Sequence, residues 1–466
     1  MARRDHDSLG EIDVPDDAYW GASTARALRN FPISGVPISH HPHLLTAFAM
    51  VKIAAARANA RLGKLDPAIA EAIDKAASEI IEGRLHEQFP VDVIQGGAGT
   101  STNMNMNEVI ANRALEILGQ PRGNHAVIHP NDHVNMSQST NDTYPTAVRL
   151  AVLLAKDALV RALEQLAASF EVKAGEFAEV VKLGRTEMQD AVPMTLGQEF
   201  GAFAVTIRED IQRLNEASKL LTEVNLGGTA IGTRINADPA YGPFAIQSLS
   251  VISGIDFVQS SNLLEASWDM GGFVMFSAVL KRIAVKLSKI ANDIRLLSSG
   301  PRGGFGEITL PAMQPGSSIM PGKVNPVIPE MVSLVCYQVI GHDLAITLAA
   351  EAGQLQLNAF EPLIATDTLD SLNLLKNAVE TFATLCVDGI QANAANCLKH
   401  LEASTATVTA LVPYIGYERA SNLAKAALAS GRTVRELAAE AMPGADLDAI
   451  LDPSMLVGEV MRARRP

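Results

Sequence analysis

Cysteine is scarce in this chain: three residues in 466, Cys336, Cys386 and Cys397, odd in number and widely spaced. They offer no disulfide framework and no metal-ligand spacing, so a reducing, cytoplasmic setting is expected. Aromatic residues make up only 5%, so any large core has to be aliphatic and alanine-rich, a composition that favours close helix packing. Basic residues are outnumbered, 38 against 51 acidic ones, for a net charge of −13. That balance argues against nucleic acid as a partner, because phosphate binding draws on basic patches. The N-terminal MARRDHDSLGEIDVPDDAYWG lacks the apolar stretch of a signal peptide, and no uninterrupted apolar run of transmembrane length is read, so no membrane association is expected. Strand signals are sparse, the best being VIQGGAG and the stretch around Phe257.

Apolar helical periodicity, by contrast, is abundant. Hydrophobic residues reach 48% with a mean hydropathy of +0.14, which exceeds what a monomer needs to bury and suggests subunit interfaces. Residues 1–40 read as an irregular leader. A helix is predicted from about His43 to Gly63, and a second over DPAIAEAIDKAASEIIEG, with Asp66 as N-cap, Pro67 in the first turn and Gly83 as terminator. NEVIANRALEIL gives a third. Beyond Pro145 the stretches 146–174, 194–224, 264–298, 327–351 and 359–390 predict long helices of the kind that pack side by side in a bundle. Shorter helices follow Cys397, including a pair broken at Gly431. The expected division is an N-terminal domain over 1–141, a central long-helix domain over 142–395 and a small C-terminal helical domain over 396–466.

Four polar segments break this pattern. Gln95-Gly-Gly-Ala-Gly-Thr100-Ser-Thr-Asn103 can bring backbone N–H groups and a helix N-terminus to an anion; a tight turn would need the same glycines. The run from His129 to Asp142 is dense in neutral donors, and Ser139, Thr140 and Asn141 are together more than one N-cap requires. The third segment, Gly184-Arg185-Thr186-Glu187-Met188-Gln189-Asp190, could by itself be a plain loop between helices. The fourth, Gly316-Ser317-Ser318-Ile319-Met320-Pro321-Gly322-Lys323-Val324-Asn325-Pro326, cannot lie inside a helix or strand. It carries a hydroxyl pair, a cation and an amide, groups suited to binding a small carboxylate and removing a proton beside it. Against an acidic background, Lys323 and Arg302 supply local positive charge for such an anion.

The four segments together resemble the aspartase/fumarase superfamily, and the similarity extends from EIDVPDDAYWGASTARALRNFPI to VPYIGYERASNLAKAAL, with GSSIMPGKVNP its most specific element. The resemblance implies an all-α, three-domain fold in which long helices of four subunits form a 20-helix core, with each active site assembled from loops of three chains. It makes Ser317 the general base, taking the proton beside the substrate's β-carboxylate, with Ser318 in support. Thr100, Ser139, Thr140 and Asn141 become the donors that hold the resulting aci-carboxylate, while Lys323 and Asn325, with Thr186 beside them, clamp the other carboxylate. Neither metal nor organic cofactor is implied, although Mg²⁺ activates some relatives.

QGGAGTS, GKVNPVIPE and the run Glu351–Asn358 lean toward members that eliminate ammonia from L-aspartate to give fumarate. Fumarate hydration and elimination from an amine-substituted succinate stay open, as does a silent structural protein on the same fold. Two departures from the family pattern bear on the substrate. Glu187 stands where relatives carry His or Gln; either Glu330, expected nearby, pushes it toward its neutral form, or it binds an ammonium. Arg234 stands where the family usually has Gly, and either reaches the pocket, to pair with Glu187 or accept an extra anionic group, or points to solvent.

Overall fold

Helix accounts for most of the computed structural model, which describes residues 2–316, 318–452 and 457. Ser317, the expected base, lies outside the described residues. Contacts group the chain into two compact units, each discontinuous in sequence: Met1–Val160, Gln212–Arg282 and Tyr337–Leu375 form the first, and Arg161–Ile211, Ile283–Cys336 and Lys376–Pro466 the second. The five long helices predicted from the periodicity are all present: α5 (Thr140–Glu176), α6 (Leu196–Ser218), α8 (Gly271–Leu297), α9 (Val327–Glu351) and α10 (Glu361–Leu385), each supplying residues to both units.

The first unit is organised around α2 (Pro42–Arg61), which packs against α3 (Pro67–Ile81), α4 (Thr100–Ile117) and α7 (Tyr241–Ser253). Alanines at 47, 49, 54, 55, 56 and 58 are all buried, so small side chains let several helices approach at once. The cap expected for α3 is present, with the Asp66 carboxylate accepting from Ala68 N and Ile69 N. The leader is not irregular, as its polarity suggested. Strands β1 (Ala2–Asp7) and β2 (Gly10–Pro15) form an antiparallel hairpin, followed by α1 (Ala22–Asn30). Only one face of β2 is apolar, burying Ile12 and Val14, so the alternating Glu11 and Asp13 mask the short period-two signal. VIQGGAG is not a strand either: Gly97, Ala98 and Gly99 all have positive φ, which ends extended structure and starts α4 at Thr100. The Phe257 expectation is met next door by β6 (Val258–Gln259), parallel to β5 (Glu223–Val224).

The second unit holds a cluster of phenylalanines. Phe170, Phe177, Phe200, Phe203 and Phe382 pack mostly edge to face with centroids 5.2–6.2 Å apart. The third polar segment is a hairpin rather than a plain loop: β3 (Val181–Thr186) pairs antiparallel with β4 (Gln189–Thr195) through a two-residue turn, Glu187–Met188. Both turn residues have positive φ (52° and 64°), the backbone a two-residue hairpin demands and one usually given to Asn or Gly, so the sequence hides the turn. Strand β3 packs against α11 (Ala394–Ala403), and β7 (Ile308–Thr309) pairs with β8 (Gln391–Ala392). Four short helices follow among the described residues: α12 (Val412–Ile415), α13 (Tyr417–Ser430), α14 (Val434–Ala441) and α15 (Leu447–Ile450). The expected break is at Gly431, φ 71°, followed by a Thr433/Glu436 capping box, and Leu411, Leu423, Val434 and Leu451 form a core of their own.

Helix α9 departs from the sequence reading in one respect. An 18-residue window of it has a mean hydropathy of 1.4, which is long and apolar enough to cross a membrane, and only 33% of that window is buried within the chain.

Candidate active site

The N-termini of α4 and α5 meet in the first unit, where Asn103 Nδ2 donates to Thr140 Oγ1 across 3.1 Å. A side chain at Gly99 would strike the Tyr144 ring, so glycine there lets the two helix ends close up. Ser139 Oγ accepts from Asn141 N at 3.2 Å while the Asp142 carboxylate accepts from Ser139 N at 2.9 Å, so Ser139 does act as a cap. Capping uses a lone pair and leaves the hydroxyl hydrogen available. Asn141 Nδ2 donates to Ala230 O at 2.7 Å, and Thr100 Oγ1 to Gly97 O at 2.7 Å. Ser139, Thr140 and Asn141 are half-buried and Thr100 is exposed.

Beneath this polar rim lie two charges that the sequence reading passed over. Lys52, fully buried in the middle of α2, donates to Asn103 Oδ1 at 2.7 Å, Gln138 Oε1 at 2.9 Å and Asn135 Oδ1 at 3.0 Å. Burial pulls its pKa down to about 7, opposed by the charge of Asp142. Three oxygen acceptors require three N–H groups, however, and only the ammonium has them. Asp142, equally buried, is raised by burial to about 6 while Ser139 N, Thr229 N and Gly227 N donate to it at 2.9–3.0 Å, stabilising its ionised form. The signal for Lys52 was faint: it is one of three Lys and Arg residues in α2, with Arg57 and Arg61, and is set apart from them by its burial.

Thr186 and Glu187 sit exposed at the β3–β4 tip. Glu187 lines a cleft of about 350 Å³ with Lys182, Arg185, Glu199, Lys289 and Phe305. Its floor is an ionic knot that sequence reasoning also missed. Buried Glu307 takes Arg185 Nη1 at 2.7 Å, Lys182 Nζ at 3.0 Å and His400 Nδ1 at 3.1 Å. Burial alone would raise the Glu307 carboxyl, but Lys182, His400 and Arg185 together hold it below the ordinary range.

Lys323, Asn325 and Glu330 line a different cleft of about 530 Å³, together with Arg295, Ser298 and Thr309. The segment is pinched at its neck, with Gly316 N donating to Lys323 O at 2.8 Å, and a Cβ at 316 would collide with that carbonyl. Ser318 and Lys323 are exposed, and the Lys323 ammonium has no ion-pair partner among the described residues. Glu330 faces Arg295 at 3.8 Å rather than Glu187. Within one chain a hairpin tip and a helix start place these two carboxylates in separate clefts.

Arg234 is exposed in the chain and gives its Nη2 to Gln259 Oε1 at 3.2 Å. Its φ of 60° explains why glycine suits the position. Arg234→Gly trades about 1–2 kcal/mol of left-handed strain against about 0.5–1 kcal/mol of glycine entropy. It should raise the unfolding free energy by up to about 1 kcal/mol, measured as a shift in denaturant midpoint; a clear loss would mean that the Gln259 contact outweighs the strain.

Long helices carrying polar loops at their ends, with a glycine-necked serine–lysine segment, define a helical lyase scaffold. Comparison with known proteins makes this specific. Residues 10–341 match the family described as Lyase, and residues 408–458 match the Fumarase C C-terminus. The chain belongs to this lyase family. It is 58% identical over 458 residues, 98% of this chain and 97% of the other, to an aspartate ammonia-lyase of Pseudomonas canavaninivorans. It is 48% identical over 466 residues, 99% and 98% of the two chains, to the aspartate ammonia-lyase of Escherichia coli K12. Among solved structures, a fumarate lyase:delta crystallin of Brucella melitensis bound to cobalt superposes with a TM-score of 0.96 at 61% identity, covering 100% of both chains. A class II fumarase of Schistosoma mansoni gives 0.93 at 36% identity, covering 97% of this chain and 98% of that one.

Proposed function

We propose that this chain catalyses the reversible anti elimination of ammonia from L-aspartate, giving fumarate. The observation that carries the reading is identity of 48–59% to aspartate ammonia-lyases along nearly the whole chain, against 36% to the class II fumarase. In this mechanism Ser317 takes the proton from the carbon beside the β-carboxylate. The electron pair left behind enters that carboxylate, which becomes a doubly charged aci form. The pair then returns to form the carbon–carbon double bond as the C–N bond breaks and ammonia departs. Thr140, Ser139, Asn141 and Thr100 donate to the aci oxygens, where hydrogen bonds strengthen as charge develops. Thr100 must first release Gly97 O. Lys323 and Asn325, with Thr186, hold the other carboxylate, and Glu187 supplies an anion suited to the substrate ammonium, a feature that favours an amine over the hydroxyl of malate.

The reading needs no cofactor. Among the described residues no group of three or more His, Cys, Asp or Glu side chains is arranged to hold a metal. A homotetramer whose active sites draw on three subunits is supported by the outer face of α9, where Leu334, Leu344 and Leu348 are each at least 60% exposed. The free, buried Cys336, Cys386 and Cys397 suit a reducing cytoplasm.

A substrate panel tests the proposal. Absorbance at the fumarate band should grow with L-aspartate and not with L-malate or N-substituted aspartates. Growth with malate alone would establish a hydratase instead.

A further inference from the structure

We propose that Lys52 is a positioning residue for this elimination: by fixing the side-chain amide of Asn103, it reserves the hydroxyl hydrogen of Thr140 for the substrate. The inference rests on the reaction proposed above but assigns a role to a residue that touches no substrate.

The argument follows the donors outward from the lysine. An ammonium can only donate, so each side chain facing it must present an oxygen. Asn103, Asn135 and Gln138 do so at 2.7–3.0 Å. An amide has one oxygen and one NH₂, and pointing the oxygen at Lys52 turns the NH₂ away. Asn103 Nδ2 accordingly reaches Thr140 Oγ1 at 3.1 Å, with a second contact to Asn135 Oδ1 at 3.2 Å. Thr140 Oγ1 thus accepts from inside, and among the described residues its own hydrogen has no acceptor. A hydroxyl that accepts from behind is polarised to donate in front, and here the front is the half-buried rim beside Ser139 and Asn141. Without the cation, only the long 3.4 Å contact from Thr143 Oγ1 still holds the Asn103 oxygen inward, and the amide can flip. Thr140 could then spend its hydrogen on the Asn103 oxygen, losing a donor at the point where charge develops. Because Lys52 and Asn103 are both buried, water cannot substitute for either.

The test uses full-length enzyme and two inhibitors. Succinate resembles the ground state. 3-Nitropropionate, ionised at carbon, carries two anionic oxygens where the intermediate has its aci-carboxylate. Asn103→Asp keeps an oxygen for Lys52 and nearly the same volume but removes the NH₂. It should lower kcat on aspartate at least about 30-fold and weaken the nitronate at least about 10-fold, with succinate affinity held within about threefold. Thr140→Val should give the same pattern, and the double variant should lose no more than about threefold beyond the worse single one. Lys52→Met should follow them; if its buried site does not tolerate the change, Asn103→Asp decides. A normal nitronate-to-succinate ratio in Asn103→Asp, or losses that multiply in the double variant, would overturn the role of Lys52. Wild-type turnover of aspartate, abolished in Ser317→Ala, would leave the lyase reading standing in that case. Absence of wild-type turnover would remove the lyase reading itself.

Discussion

Ser317→Ala is expected to lower kcat for aspartate by at least about 10³-fold, roughly 4 kcal/mol of transition-state stabilisation, while assembly and helix content stay unchanged. The charged and amide groups of its segment cannot replace it: Lys323 is a cation and Asn325 an amide. Ser318→Ala serves as the control and should retain most activity. The measurement is initial rate of fumarate formation beside circular dichroism and sedimentation velocity. A variant within tenfold of wild type would remove Ser317 as base, and loss of assembly would make the segment structural. The segment is anchored at its neck by Gly316 and Lys323, and the side chains of Ser318 and Lys323 are exposed, so the Ser318→Ala control disturbs no core.

Glu361→Gln should reshape the dependence of stability on pH. Glu361 is 3% exposed at the start of α10, and neither of its carboxyl oxygens has a hydrogen-bond partner among the described residues. Burial raises its pKa to about 8, with Arg149 only partly opposing. The unfolded chain releases this proton near pH 4.5, whereas the folded chain holds it to about 8. Between those values the native state binds more protons, so stability falls as pH rises through the window, and the loss is complete above it. The upper bound, at about 1.4 kcal/mol per unit, is roughly 5 kcal/mol. Glutamine has the shape of the protonated acid and no charge to desolvate, so the variant should lose less stability between pH 5 and pH 8.5 than wild type. Denaturant midpoints at the two pH values check this. Lys52 runs the other way, since its pKa is lowered, and it weakens the fold as pH falls from its unfolded value through about 7. The Glu361 contribution is therefore read as the difference between variant and wild type. Parallel midpoint shifts in the two proteins would show that Glu361 is ionised and paired in the native state.

The helices were largely legible because their signals are local. Periodicity located α5, α6, α8, α9 and α10, and Asp66, Gly83 and Gly431 behaved as the caps and stops that their chemistry predicts. The hairpins were not, for two different reasons. In β2 the apolar face is only Ile12 and Val14, too short a pattern to stand out from charged neighbours. The turn of the β3–β4 hairpin uses Glu187 and Met188 in a left-handed backbone that neither residue advertises. The candidate site divided similarly. Thr100, Ser139, Thr140, Asn141, Lys323 and Asn325 are marked by unusual runs of small polar residues. Lys52, Glu307 and Glu361 are isolated letters in unremarkable stretches, and their significance comes from burial and from partners far away in the chain.

Chain order and residue type were enough to specify a bundle of long alanine- and leucine-rich helices interrupted by loops bearing hydroxyls, amides and one lysine, because helix periodicity, capping and loop composition act over a few residues. Folding alone decided that Lys52 meets Asn103, Asn135 and Gln138, that Glu187 and Glu330 line separate clefts of one chain, and that Glu361 lacks a hydrogen-bond partner among the described residues. Those outcomes depend on which distant side chains share a dry interior, where the cost of an unpaired charge is set by three-dimensional neighbours rather than by adjacent residues.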